Sequence, residues 1–187
     1  MPRQDPGVAV ARLHHRLQLI AALEDHERGK RWTLASAGSH LAADDAKAAP
    51  FQVSHLIGHC IAMSLDGLTG ARLLVEDPEV PHGMRLLMAA PYPMLRSAVE
   101  AGALAAWVLL PTDGAQRLAR NFRARWDDIV QDDNLVMAFT AMRPNDTPAQ
   151  MADKQRQRRK NAHHVRDRKR RLRDVATAAG VDTKEVE

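Results

Sequence analysis

Apolar residues recur along this chain at three- and four-residue intervals, the period of one helical face, so the pattern predicts helices throughout. Over residues 8–27, Val10, Leu13, Leu17, Ile20 and Leu23 or Glu24 mark such a face, and Gly29 is placed to stop the helix. Residues 30–49 read as a loop around Ser36, Gly38 and Ser39, with helix an open alternative from His40. A second helix is predicted to begin at Pro50, a favourable first-turn residue, and to run to about residue 75, with Phe51, Leu56, Met63 and Leu74 in its core face. Residues 77–93 carry four prolines and read as a connector with one turn near 84–88.

A third helix over 92–111 is apolar on all sides from Ala101 onward, which predicts the central helix of a bundle. The fourth opens on Thr112 as its N-cap and carries the stripe Ala115, Leu118, Ala119, Phe122, Trp126, Ile129, Val130, Met137. Residues 143–148, RPNDTP, are a turn or hinge, and a last helix runs over 148–179 with Gly180 as its stop. No internal repeat is visible. The predicted fold is all-α: a bundle of four core helices within residues 1–143, a long basic helix over 148–180 and a tail of 181–187.

Composition supports this reading. Aromatic residues make up 4% of the 187, so strands have little to be built from. That length suits one domain with an appended element. The single cysteine, Cys60, excludes an intramolecular disulfide framework and fits a reducing compartment. The N-terminus has no long apolar segment of the kind a secretory signal needs. The longest apolar run, 101–110, is half a membrane span. The sequence therefore predicts a cytoplasmic protein with no membrane partner.

Charge position changes the picture more than charge total. Between residues 154 and 173 there are eleven Lys/Arg and one acidic residue, Asp167, a net +10 on a chain whose total is +4. The remainder carries −6, so an acidic body bears a basic helix. Lys154, Arg156, Arg158, Arg159, Lys160, Arg166, Arg168, Lys169, Arg170, Arg171 and Arg173 fall on all sides of this helix. A row of Val165, Leu172, Ala176 and Ala179 is available for packing. The half before Ala162 offers almost nothing to bury and is predicted to project into solvent or onto a partner.

Like charges three and four apart repel by a few tenths of a kcal/mol per pair. A polyanion removes that cost and releases counterions, and the guanidinium fork fits phosphate. The eleven cations are therefore candidates for contacting RNA or DNA. No aromatic residue lies in the helix, so base stacking is not implied. The competing readings are a solvated helix and one docked on an acidic protein, including another subunit of a homodimer. The fourth helix has Arg117, Arg120, Arg123 and Arg125 early and Asp127, Asp128, Asp132 and Asp133 late, against its own dipole. An antiparallel neighbour of opposite charge order, a second basic surface and a solvated face all account for this.

His55 and His59 stand four apart, as do Arg96 and Glu100 beside an apolar stretch. A buried polar cluster of His55, His59, Arg96 and Glu100 is predicted, because charge beside so apolar a helix must be paired or reach solvent. The histidines sit in HLIGHC, without the glutamate of an HExxH motif and without clear further ligands. No metal and no cofactor are therefore expected.

The stretch HLIGHCIAMSLDGL followed by PYPMLRSAVEAGALAAWVLL resembles a pattern in all-helical proteins of GC-rich bacterial genomes. In these a helix with spaced histidines precedes a Pro-Tyr-Pro turn and a helix carrying Leu-Arg, a glutamate and a tryptophan. The matching residues are His55, His59, Asp66, Pro91, Tyr92, Pro93, Arg96, Glu100 and Trp107, within residues 53–126. The resemblance implies a helical bundle and no known activity; such proteins are often longer than this chain. The basic helix is more distantly similar to HEPN nucleases, helical dimers that cut RNA without metal. Their arginine is followed after four to six residues by histidine, a spacing found here from Arg158 to His163, Arg159 to His164 and Arg156 to His163. This similarity implies an arginine that steadies phosphate and a histidine that moves a proton. The asparagine that often follows the arginine in that family is absent, since Arg159 and Lys160 stand there.

Overall fold

A computed structural model of the chain describes residues 6–27, 35–77, 79, 83, 84 and 89–187. Among them are six α-helices, α1 (Pro6–Glu27), α2 (His40–Ala48), α3 (Val53–Val75), α4 (Pro91–Leu109), α5 (Gly114–Phe139) and α6 (Pro148–Ala178), and a 3-10 turn, Thr183–Glu185. The all-α class follows, with one isolated bridge between Glu76 and Met84 as the sole extended pairing among the described residues. The expected Gly29 stop lies outside the described residues, as does most of the turn expected at 84–88.

Local chemistry explains the boundaries. α2, left open by the sequence, forms because the Ser39 hydroxyl caps it, accepting from the Ala42 amide at 3.2 Å. α3 starts at Val53, three residues after Pro50, where the Asp45 carboxylate accepts from the Ser54 amide at 2.9 Å. α5 is capped by Asp113, one residue beyond the predicted Thr112. α6 opens on a full capping box: Thr147 takes the Gln150 amide, and the Gln150 side chain takes the Thr147 amide at 2.8 Å. Gly180, at φ +79°, ends it in the left-handed conformation that suits glycine.

The chain divides into two compact units, one of residues 1–34 with 57–107 and one of 35–56 with 108–187. In the first, Gly67 lets α3 approach α4: a Cβ there would lie 2.7 Å from the Met94 carbonyl oxygen. Ser64 donates to the Ala98 carbonyl at 2.9 Å across the same contact. Arg72 of α3 reaches Glu24 of α1 through two hydrogen bonds, 3.0 and 2.7 Å. An apolar cleft of about 420 Å³ lies between α1, α3 and the start of α4, lined by Leu13, Leu17, Ile20, Leu68 and Leu95 among others. Of the face predicted for α1, Leu17 is buried while Val10 and Leu23 are exposed.

The central position predicted for α4 is corrected. Ala98, Ala105 and Val108 are buried, but Tyr92 and Val99 on another side are 70 and 68% exposed. Uniform apolarity shows that a helix can be buried on every side, and its neighbours decide how many sides are.

In the second unit α5 and α6 form an antiparallel hairpin, with Asp132 opposite Arg168, Asp133 opposite Asn161 and Thr140 opposite Arg158. Leu118, Phe122, Trp126 and Ile129 of α5 are buried, as the stripe predicted; Met137 is not. Of the row expected to pack, Val165, Leu172 and Ala176 are buried and Ala179 is half-buried. In the tail, residues 181–187, Val181 and Val186 are buried and Glu187 accepts from Arg173 at 2.6 Å.

Candidate nucleic-acid interface

Hairpin geometry sorts the eleven cations of α6. Five are held by side chains or carbonyls of the second unit. Lys154 donates to Asp146 at 2.7 Å and to the Ala141 carbonyl at 3.0 Å. Arg158 donates to the Thr140 hydroxyl at 3.1 Å, and Arg168 pairs with Asp132 at 2.6 Å. Lys169 and Arg173 lie over the Trp126 ring, 4.6 and 5.0 Å from its centre. The N-terminal half of α6 therefore does not project freely: where it lacks apolar side chains it docks on α5 through polar ones. Of the late acids of α5, Asp132 meets an α6 cation, Arg168, and Asp133 accepts from Asn161, so the antiparallel neighbour offsets part of the inverted charge order.

Two more cations, Arg156 and Arg170, lean on acids of their own helix, Asp153 at 3.9 Å and Asp167 at 3.1 Å, and stay 69 and 68% exposed. The remaining four, Arg159, Lys160, Arg166 and Arg171, are exposed and have no hydrogen bond or ion pair among the described residues. At about 100° per residue, Arg166 and Arg170 lie within about 20° of Arg159, with Arg156, Lys160 and Arg171 on the same outward half. The buried Val165, Leu172 and Ala176 point the other way. From Arg159 to Arg171 this outer stripe spans about 18 Å.

His163 is 77% exposed on the outward side, its Nε2 3.4 Å from Asp167. A five-residue step turns Arg158 about 140° from His163, and Arg158 is committed to Thr140. Arg156, seven residues away, shares the face of His163. His164 instead lines a shallow cleft of about 430 Å³ between α5 and α6 with Val136, Phe139, Thr140, Gln157, Lys160 and Asn161. Phe139, off the core stripe at the last turn of α5, was not singled out by the sequence. The signal was there: a large aromatic out of register with Leu118, Phe122 and Ile129.

The burial expected of His55, His59, Arg96 and Glu100 is corrected. All four are exposed, Arg96 and Glu100 by 80 and 63%. They sit on helix sides that no neighbour covers, so the apolar stretch after them does not draw them in. Arg96 and Glu100 pair at 2.7 Å, and that hydrogen bond raises the arginine's pKa. Neither histidine has a hydrogen bond among the described residues. No group of three or more His, Cys, Asp or Glu there is placed to hold a metal ion. At the foot of α6 the Lys154 ammonium, with the Arg143 amide, holds the Asp146 carboxyl below its ordinary pKa.

The strongest buried polar contact lies elsewhere. Arg117 donates to Asp44 at 2.6 Å and to the carbonyls of Pro111 and Thr112 at 2.9 and 2.8 Å, with both side chains almost fully covered. It ties α2 to the start of α5.

Among the described residues no helix is long and apolar enough to cross a membrane. No known protein family, curated protein or solved structure matches this chain.

Proposed function

We propose that this protein binds nucleic acid through the outward face of α6, contacting phosphates without an enzymatic step. The observation that carries the reading is the stripe of Arg159, Lys160, Arg166 and Arg171, exposed and without a partner among the described residues. These cations repel their neighbours on the helix, and phosphates would offset that repulsion and release counterions. Over about 18 Å one strand of a duplex presents about five phosphates, enough to meet all four. The five cations held by α5, the turn after it and the C-terminal segment serve a different purpose: they fix the helix so that its outer face is presented rigidly. The acidic remainder of the chain is available for dimerisation or partner contacts.

Binding measured across salt tests this. Four phosphate contacts imply that affinity falls about 150-fold for a duplex, or about fiftyfold for a single strand, over a fourfold rise in salt. The variant with Arg159, Lys160, Arg166 and Arg171 all changed to Gln should lose nearly all of that dependence. Absent or salt-insensitive binding by the wild type refutes the reading. A HEPN-like ribonuclease remains the alternative enzyme. Degradation of RNA in EDTA, abolished by His163→Ala with His164→Ala, would favour it. Docking of the helix on an acidic protein is the third reading, favoured if the same four substitutions abolish capture by a carboxylate-rich partner but not by RNA or DNA.

A further inference from the structure

We propose that the cleft between the end of α5 and the middle of α6 is a base-binding site, and that the nucleic acid taken is therefore single-stranded. The proposal rests on the phosphate-binding reading of α6 and names the form of ligand that reading takes. Phe139 is 78% exposed, more than any other large hydrophobic side chain among the described residues. The core of the second unit closes without it, on Leu118, Phe122, Ile129 and Leu172.

Three kinds of group meet in the cleft. Phe139 offers a flat π face, on which any base can stack. Gln157 offers an amide, both donor and acceptor, suited to a base edge. Lys160 belongs to the cleft and also to the unpartnered cations of the outer face. A strand with a base on Phe139 thus has its phosphates led past Lys160 toward Arg159 and Arg166. The wall behind Phe139 is fixed: the Thr140 hydroxyl donates to the Val136 carbonyl at 2.6 Å and accepts from Arg158. At about 430 Å³ the cleft is of the size that holds small planar ligands. A duplex keeps its base faces stacked inside and cannot offer one to Phe139 without breaking that stack, so the site discriminates by strandedness.

The test uses the full chain and three labelled oligonucleotides in one buffer: single-stranded RNA, single-stranded DNA of the same sequence, and duplex DNA. Phe139→Ala should weaken both single strands by about tenfold or more while changing duplex affinity less than about twofold. Phe139→Trp should restore single-strand affinity. The residue is exposed, so both variants should keep the wild-type circular dichroism. Unchanged single-strand affinity in Phe139→Ala, or an equal drop on all three probes, overturns the base site and leaves the phosphate-binding reading standing if affinity still falls with salt. Failure of every probe to bind in a salt-dependent way overturns both.

Discussion

Replacing Asp44 with alanine should cost this protein more stability than any surface charge could account for. Asp44 and Arg117 lie 5 and 10% exposed and share a 2.6 Å hydrogen bond. Without the carboxylate, Arg117 keeps the Pro111 and Thr112 carbonyls but no countercharge. Removing one partner of a buried pair costs about 3–5 kcal/mol, and the two surviving carbonyl contacts place this case near the lower end. Against a total stability of about 5–15 kcal/mol, that is a large fraction. Changing both residues together, Asp44→Leu with Arg117→Met, removes the orphaned charge and should cost much less than the two single changes summed, a coupling of about 2 kcal/mol. Gly114→Ala perturbs the pair independently, because its Cβ would stand 2.6 Å from Asp44 Oδ1. A helical Gly→Ala change ordinarily stabilises by up to about 1 kcal/mol, so a loss here reports the carboxylate being displaced. Urea unfolding followed by far-ultraviolet circular dichroism measures the wild type, Asp44→Ala, Gly114→Ala, the double change and its two single changes, Asp44→Leu and Arg117→Met. Should Asp44→Ala lose less than about 1 kcal/mol, or the double change equal the sum of the singles, the pair does not lock α2 to α5 as argued.

The docking of α6 predicts that Leu172→Ala, at a fully buried position, destabilises by about 2–5 kcal/mol; a projecting helix would tolerate it in the same urea assay. Gly67→Ala should destabilise the first unit by about 1–3 kcal/mol, since its Cβ would meet α4 backbone at 2.7 Å, and hydrogen exchange in α3 and α4 should rise; unchanged exchange refutes the close approach. Asp146 has a folded pKa below its unfolded value. Its contribution is therefore complete above the ordinary aspartate pKa, near 4, and is lost as pH falls through the depressed folded value. Carboxyl NMR titration should find that low midpoint in the wild type and a higher one in Lys154→Gln; equal midpoints would show that Lys154 is not the cause.

Sequence and structure divide the account at an intelligible place. Helical class, the start of α6 near Pro148, its stop at Gly180, the core stripe through Leu118, Phe122, Trp126 and Ile129, and the packing row Val165, Leu172, Ala176 were all legible. Each depends on residues within one or two turns of one another, where period and capping chemistry act. The concentration of cations over 154–173 was equally plain. Their sorting was not, because Asp132, Trp126, Thr140 and Glu187 reach α6 from distant positions, and a local pattern does not say which acid a given arginine will meet.

The same reason explains the misplaced core. Arg96 and Glu100 were expected inside, while the buried pair formed between Asp44 and Arg117, seventy-three residues apart. Phe139 gained its interest when chain reversal at 143–147 brought Gln157, Lys160 and His164 alongside it. The amino-acid order by itself determined where the helices lie and how much charge they bear. Tertiary structure decided which side of each helix remains for a ligand, because exposure is a property of neighbours and neighbours are chosen by the whole chain.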